Sequence, residues 1–271
     1  MNTKRFFHIN SSARLSGTSS AFSYLLDIPP DGNYDRIVVS MLNIPVSYYL
    51  IPAGYNTFTL TELGINTTIT ISPGNYSIQS FCSVVAGLLT SNSPNLYTYT
   101  MTYNNGYLNN LNGLIYYSVS GNSGNQPSLT FSSSNSLYEQ FGFYAGTYTF
   151  SSNSLTSINV CNFVQESTLF LHSDLVTGSN NDILQAIYQS NSSTMSFITY
   201  TSSDLIGFSK NLMTNKNNIA NFYITDRNNN VINLNGQEIE ISILLFSSDK
   251  TNDIIKNIYE LIKTFLQYII K

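Results

Sequence analysis

The sequence predicts an all-β fold of the sandwich or barrel type. Short runs rich in β-branched and aromatic residues recur along the chain, and Pro, Gly, Asn or Asp punctuates the gaps between them. Length agrees: 271 residues accommodate one large all-β domain, since sandwiches and barrels often exceed about 200 residues undivided.

The first strand signals are "AFSYLLDIPP", "DRIVVSMLNIPVSYYLI", "NTFTLTEL" and "TTITIS". The period then changes. In "NYSIQSFCSVVAGLLTSN" the apolar residues Ile78, Phe81, Val84, Val85, Leu88 and Leu89 recur at helical spacing, and Ser77 stands where a hydroxyl caps a first turn. This predicts an amphipathic helix over about Ile78–Leu89. Strands resume at "LYTYTMTY", where Tyr97, Tyr99, Met101 and Tyr103 alternate with threonines, and continue through "LIYYSVS" and "SLTFSS". Asn- and Gly-rich loops, "NNGYLNNLNG" and "SGNSGNQP", separate them. "SLYEQFGF" sets Leu137, Phe141 and Phe143 on a helical turn closed by Gly142.

Further on, "STLFLHSDL" and "MSFITYT" read as strands and "DILQAIY" as a helical turn. The last two strand runs, in "IANFYITDRNNNVINLNGQEIEISILLF", read as a hairpin turned by "DRNNN", whose Asp and Asn tolerate left-handed positions. Within it Ile239, Ile241, Ile243 and Leu245 alternate with Glu238, Glu240 and Ser242, which predicts one buried and one exposed face.

Residues 1–248 are therefore expected to form one domain, and 249–271 a C-terminal amphipathic helical arm. In that arm Ile254, Ile255, Ile258, Leu261, Ile262, Phe265, Leu266 and Ile269 make a wide apolar face opposite Lys256, Glu260, Lys263 and Gln267. Ile258, Leu261, Phe265, Leu266 and Ile269 are its candidate assembly contacts. The arm can pack on its own sandwich, dock on a neighbouring subunit, or lie on a membrane surface, the last being disfavoured by its weak basic face. A helix appended after a closed sandwich is best placed to be a tether.

Charged residues make up only 10% of the chain, against about 25% in an ordinary soluble domain. A surface of hydroxyls and amides repels copies of itself weakly, which suits a packed subunit, although an AT-rich codon bias produces the same composition. The net charge is −4 and no Lys/Arg stripe appears, so nucleic-acid binding by phosphate neutralisation has no footprint. Cys82 and Cys161 lie in apolar stretches without a CxxC pair and read as buried free thiols. The N-terminus lacks the apolar core of a secretory signal, and no apolar run approaches the ~20 residues of a membrane span, so a soluble protein made inside a cell is expected.

Catalytic and cofactor signals fail one by one. "FLHSDLV" sets His172, Ser173 and Asp174 side by side, the three residue types of a hydrolase triad. Neighbours in a strand point to alternate faces and cannot converge, and no GxSxG elbow is present. The stretch reads as a strand end entering a turn, with Ser173 and Asp174 bonding local amides. His8 reads as a surface or strand-pairing residue. The two histidines are far apart and the acidic residues Asp27, Asp31, Asp35, Glu62, Glu139, Glu166, Asp182, Asp204 and Asp226 are scattered singly, so neither a metal nor a carboxylate pair is expected. "DRNNNVINLNG" departs from a calcium loop after Asn230, and no phosphate-binding glycine motif exists. No cofactor and no enzyme activity are expected. The 20 Tyr and 16 Phe point instead to protein contacts.

The order of elements resembles a family. The helix after "ITISPGNYSIQSFCSVVAGLL", the runs "LTFS", "EQFGF" and "LFLHSDLV", and the terminal "ITDRNNNVINLNGQEIEISILLF" are similar to the penton and minor capsid proteins of virophages, Polinton-type elements and related large DNA viruses. The similarity spans about residues 5–246. It implies a single jelly-roll β-sandwich with inserted loops, and a homopentamer filling the five-fold vertices of a virion between major capsid proteins, assembled in the host cytoplasm or nucleus. A double jelly roll needs more chain and an internal repeat that is absent. Another minor, cementing capsid protein and a jelly-roll attachment protein binding a host glycan or receptor are the alternatives. The C-terminal arm has no counterpart in the resemblance.

Overall fold

The computed structural model describes residues 4–29, 33–103, 112–134, 137–164, 168–176, 182–188, 196–213, 218–248, 258 and 262. The chain divides into two compact units, Met1–Tyr48 with Glu166–Lys271, and Tyr49–Gln165. The second unit lies within residues 1–248, the stretch expected as one domain with insertions.

In chain order, the first unit opens with β1 (Lys4–Asn10), β2 (Ser16–Gly17), β3 (Ala21–Leu25) and β4 (Arg36–Pro45). The second unit holds β5 (Thr57–Glu62), β6 (Ile65–Thr70), α1 (Ile78–Ser91), β7 (Thr98–Tyr103), β8 (Ile115–Ser120), β9 (Ser128–Phe131), α2 (Tyr138–Phe141), β10 (Gly146–Thr149) and β11 (Ser154–Thr156). The first unit resumes with β12 (Thr168–Ser173), β13 (Ile183–Tyr188), β14 (Phe197–Thr201), β15 (Lys210–Asn211), β16 (Ile219–Thr225) and β17 (Glu240–Phe246).

The first unit is a jelly roll. One antiparallel sheet has the order β1-β17-β4-β14, and the other β13-β12-β16-β3, with β2 beyond β3. Followed along the chain, β1, β3 and β4 alternate between the sheets, β12 and β13 form a hairpin in the second, and β14, β16 and β17 alternate again. This is the two-Greek-key path of the fold. β15 pairs with Arg36 and Ile37 of β4, alongside the stretch Met41–Pro45 that pairs with β14. Alternate residues of the facing sheets, among them Ile9, Phe22, Ile37, Leu42, Leu171, Phe222, Ile241 and Leu245, fill one apolar core.

Three sequence expectations change. β16 and β17 lie in different sheets and do not form a hairpin. The "DRNNN" turn instead returns the chain to an isolated bridge between Thr225 and Val231, and the segment between Val231 and β17 crosses the sandwich. "DILQAIY" is strand β13, paired with β12 from Leu169↔Ile187 to His172↔Ile183. β17 is buried on both faces from Ile241 to Phe246. It sits between β1 and β4, and its outward-facing Leu244 and Phe246 pack with Val38 under Leu205.

In the second unit β10-β9-β5-β6 and β11-β8-β7 form two sheets. The apolar face of α1 buries Phe81, Cys82, Val85 and Leu89, as the spacing predicts, and the Ser77 hydroxyl accepts the Ser80 amide at 3.2 Å. The core is a cluster of rings around Phe141, whose centroid lies 4.8 Å from Phe58, 4.9 Å from Phe131 and 5.0 Å from Phe81. α2 ends at Gly142, which holds the left-handed conformation at φ 73°. Glu62 is fully buried in this unit. Its carboxylate accepts the Ser93 hydroxyl at 2.8 Å, the Tyr99 hydroxyl at 2.7 Å and the Asn95 amide at 3.1 Å.

Candidate functional site

The residue types of a triad are placed apart. β12 places His172 opposite Tyr223 of β16, on the sheet face away from the core residues Leu171 and Ile224, and its register with β13 shifts between Leu171 and His172. His172 is 4% exposed. Its Nδ1 lies 2.9 Å from Asp182 Oδ1 and its Nε2 2.9 Å from the hydroxyl of Thr225 on β16. Its ring stacks on Tyr223, and the Tyr223 hydroxyl donates to the second oxygen of Asp182.

Ser173 is buried, and its hydroxyl accepts the Leu175 amide at 3.2 Å, which is the expected local bond. Asp174 differs from expectation. It accepts the backbone amide of Asn221 at 2.9 Å and the Asn221 side-chain amide at 2.7 Å, tying the strand end to β16 rather than to its own turn.

The chain Thr225–His172–Asp182 nevertheless has the order of a hydroxyl, an imidazole and a carboxylate. Its hydroxyl end is sealed: Thr225 is 1% exposed. A nucleophile must be reached by its substrate, so this arrangement acts as a polar fastener between β12, β16 and the start of β13. Burial pushes the Asp182 carboxyl up, but the bonds from Tyr223 and His172 outweigh it and hold it below its ordinary range. Burial and Asp182 together push the Tyr223 hydroxyl up to about 12.

Asp182 stands in the sequence among scattered acids, ten residues from His172, and only the β12–β13 pairing with its irregularity brings the two together. His8 meets Ser242 across the β1–β17 pair at 2.8 Å. Asp226 accepts the amides of Asn228 at 2.9 Å and Asn230 at 2.8 Å, so its loop is held by turn bonds. Cys82 and Cys161 are free thiols, Cys82 buried as expected and Cys161 only half-buried, and burial, with Cys161 nearby, pushes Cys82 up to about 11. Among the described residues no group of three or more His, Cys, Asp or Glu side chains is placed to hold a metal ion.

Open grooves among the described residues of the first unit include two that do not contain His172. One, of about 550 Å³, is lined by Asn10, Asn43, Phe197, Thr199, Gln237 and Glu240. The other, of about 400 Å³, is lined by Lys4, Arg36, Leu205, Ile206, Leu244 and Phe246, together with Ser248 at the start of the arm. Phe6, in register with Leu244, is exposed beside this second groove's apolar wall. In the arm, Ile258 is helical and exposed, as is Ile262 one turn on. Leu261, Phe265, Leu266 and Ile269 lie outside the described residues. The stretch "YNNGYLNNLNGLIYY", residues 103–117, whose tyrosines suit it to face a glycan or receptor, falls partly outside them as well, and its described end turns Tyr117 inward, where the hydroxyl donates to the Phe141 carbonyl at 2.9 Å.

No family model matches the chain, and no curated protein matches it. Among solved structures it is similar to the crystal structure of selenomethionine-labelled mavirus penton protein, at 14% sequence identity and a TM-score of 0.46, over 92% of this chain and 99% of that one.

Proposed function

We propose that this chain is a structural capsid protein of a double-stranded DNA virus or virophage, and that it is the penton subunit that forms the pentameric five-fold vertex. The strand order of the first unit carries the reading: two antiparallel sheets in jelly-roll order, with the second unit inserted between β4 and β12. Such sandwiches assemble side by side through edges and loops without chemistry. The surface is suited to that. Few charges separate copies, and large apolar side chains such as Phe6, Leu25, Tyr188, Phe197 and Ile206 stand exposed.

On this reading the polar groups that resemble a catalytic site are internal fasteners, the protein is not an enzyme, and it requires no cofactor. Its partners are its own copies and the major and other capsid proteins, and its place is the virion. Light scattering and electron microscopy of purified protein test the reading. A closed ring of five is expected; a monodisperse monomer at high concentration overturns it.

One observation favours a second reading as an attachment protein. Phe197 is exposed in a groove with the amides Asn10, Asn43 and Gln237, a ring-and-amide lining of the kind that takes a sugar. Binding to a glycan array that is lost in Phe197→Ala supports this reading, and an array without hits removes it.

A further inference from the structure

Nine described residues other than glycine hold a positive φ. Seven of them are Asn or Ser, whose short polar side chains suit the left-handed region, and two are leucine: Leu63 at φ 48° and Leu96 at φ 59°. The same two leucines face water. Leu96 is 88% exposed and Leu63 59%, with Ile65 beside Leu63 at 50%. Each leucine is thus unfavourable twice, once in its backbone and once in its hydration, and strain kept in this way points to a use.

Both leucines stand at one end of the second unit. Leu63 and Gly64 form the two-residue turn between β5 and β6, where Glu62 pairs with Ile65. Leu96 lies in the loop between α1 and β7. Glu62 joins turn to loop: its carboxylate accepts the Asn95 backbone amide at 3.1 Å, the Asn95 side chain at 3.3 Å and the Ser93 hydroxyl at 2.8 Å. A buried carboxylate therefore braces the two segments against each other, with an exposed leucine on each.

The polar groups of this end are spent on one another. Along the loop the Ser93 amide donates to the Thr90 carbonyl, Pro94 has no donor, and the Asn95 amide donates to Glu62. The Leu96 amide donates to the Ser93 carbonyl at 3.3 Å and the Tyr97 amide to the Ser93 hydroxyl at 2.8 Å. On the hairpin the Thr61 hydroxyl donates to the Asn66 side chain at 2.8 Å. Charge is missing too. From Tyr49 to Gln165 the sequence holds no Lys, Arg, His or Asp, and of its two glutamates Glu62 is buried and Glu139 accepts the Asn162 side chain at 3.0 Å. Apolar side chains on satisfied backbone, without charge, fit a medium that offers neither hydrogen bonds nor counter-ions. That medium is the edge of a bilayer's hydrocarbon, whereas a protein pocket brings a polar rim that this end has few free groups to meet.

We infer that Leu63, Ile65 and Leu96 form a tip that enters the surface leaflet of a zwitterionic lipid bilayer. The contact is shallow and does not span. With no cation in the unit, anionic headgroups add nothing to it. The inference adds a membrane contact to the capsid reading and does not depend on it.

Flotation of the full-length chain with phosphatidylcholine vesicles tests it. The unsubstituted protein is expected to rise with the vesicles, and to the same extent when phosphatidylserine is included. Leu63→Asn with Leu96→Asn is expected to weaken binding about tenfold or more. Its melting temperature should be unchanged or higher, because Asn suits the backbone that strains Leu, and this separates the contact from the fold.

An unsubstituted protein that ignores the vesicles overturns the inference, as does a double variant that floats as well as its parent. Binding that requires phosphatidylserine overturns it equally. If vesicles are ignored yet the double variant changes oligomer size in light scattering, the tip is a subunit contact; the inference fails and the capsid reading stands. If the unsubstituted chain floats while remaining a monomer at high concentration, the inference stands and the capsid reading fails.

Discussion

The rings of His172 and Tyr223 lie face to face, with centroids 4.4 Å apart and 7° between their planes, and both reach the same carboxylate, Asp182. This stack joins neighbouring strands of one sheet, and Thr225 closes it from the other ring nitrogen. The histidine is therefore held by bonds on both sides and is itself buried, while Asp182 at the end of the chain of bonds is partly exposed.

His172→Ala removes the shared partner of Asp182 and Thr225 and leaves the buried Thr225 hydroxyl without it. A loss of about 2–3 kcal/mol is expected, read as a lower urea midpoint with an unchanged slope. Oligomer size should survive at low temperature. Loss of a measurable hydrolase activity on a folded variant would contradict the fastener assignment.

Alkaline pH should destabilise the fold by a defined route. Tyr223 ionises at about 12 in the folded chain against its ordinary 10.0, and Cys82 at about 11 against 9.0. Each contribution is complete below the ordinary value and is lost as pH rises through the raised one. Melting temperatures should fall above pH 9, and Tyr223→Phe should flatten part of that fall. Asp182 acts in the opposite limb: its contribution is present above the ordinary 3.8 and disappears as pH falls through its lowered value.

Glu62→Ala empties the acceptor that Ser93, Asn95 and Tyr99 share and leaves the buried hydroxyls of Ser93 and Tyr99 without it. The expected cost is about 3 kcal/mol or more, with Glu62→Gln costing less because one carbonyl oxygen remains. Hydrogen exchange should localise the loss to the second unit, between Tyr49 and Gln165. Uniform loss across both units would contradict this.

Gly142→Ala should be severe for an ordinary surface-to-core turn. An added Cβ would stand 2.5 Å from the Asn159 carbonyl oxygen and 2.8 Å from Ser157 Cβ, at a φ of +73°. Backbone at Asn159 must shift, and about 2 kcal/mol or more is expected from the clash and the left-handed strain together. A thermal melt compared with Gly64→Ala, where nothing crowds the position, separates the clash from the conformational term.

Local signals were legible and long-range ones were not. α1 and its Ser77 cap follow from spacing and a hydroxyl, since both act within one turn of chain. Gly142 ends α2 for the same local reason. "DILQAIY" misleads because a short apolar run fits either period, and pairing with β12 decides it. β16 and β17 follow one another yet face each other across the sandwich, which only the jelly-roll path determines. The His172–Asp182 pair depends on an irregular register, and Leu244 and Phe246 look outward for a reason that alternation hides. Asp35, which accepts the Ser248 amide, carries no signal beyond being an isolated acid.

A reconstruction of the intact particle tests the capsid assignment most directly. The account predicts five copies at each five-fold vertex, each fitting a jelly roll of β1–β4 and β12–β17 with the Tyr49–Gln165 unit inserted between β4 and β12. A shell whose vertices are filled by another chain, with this one absent from the ordered capsid, would contradict it.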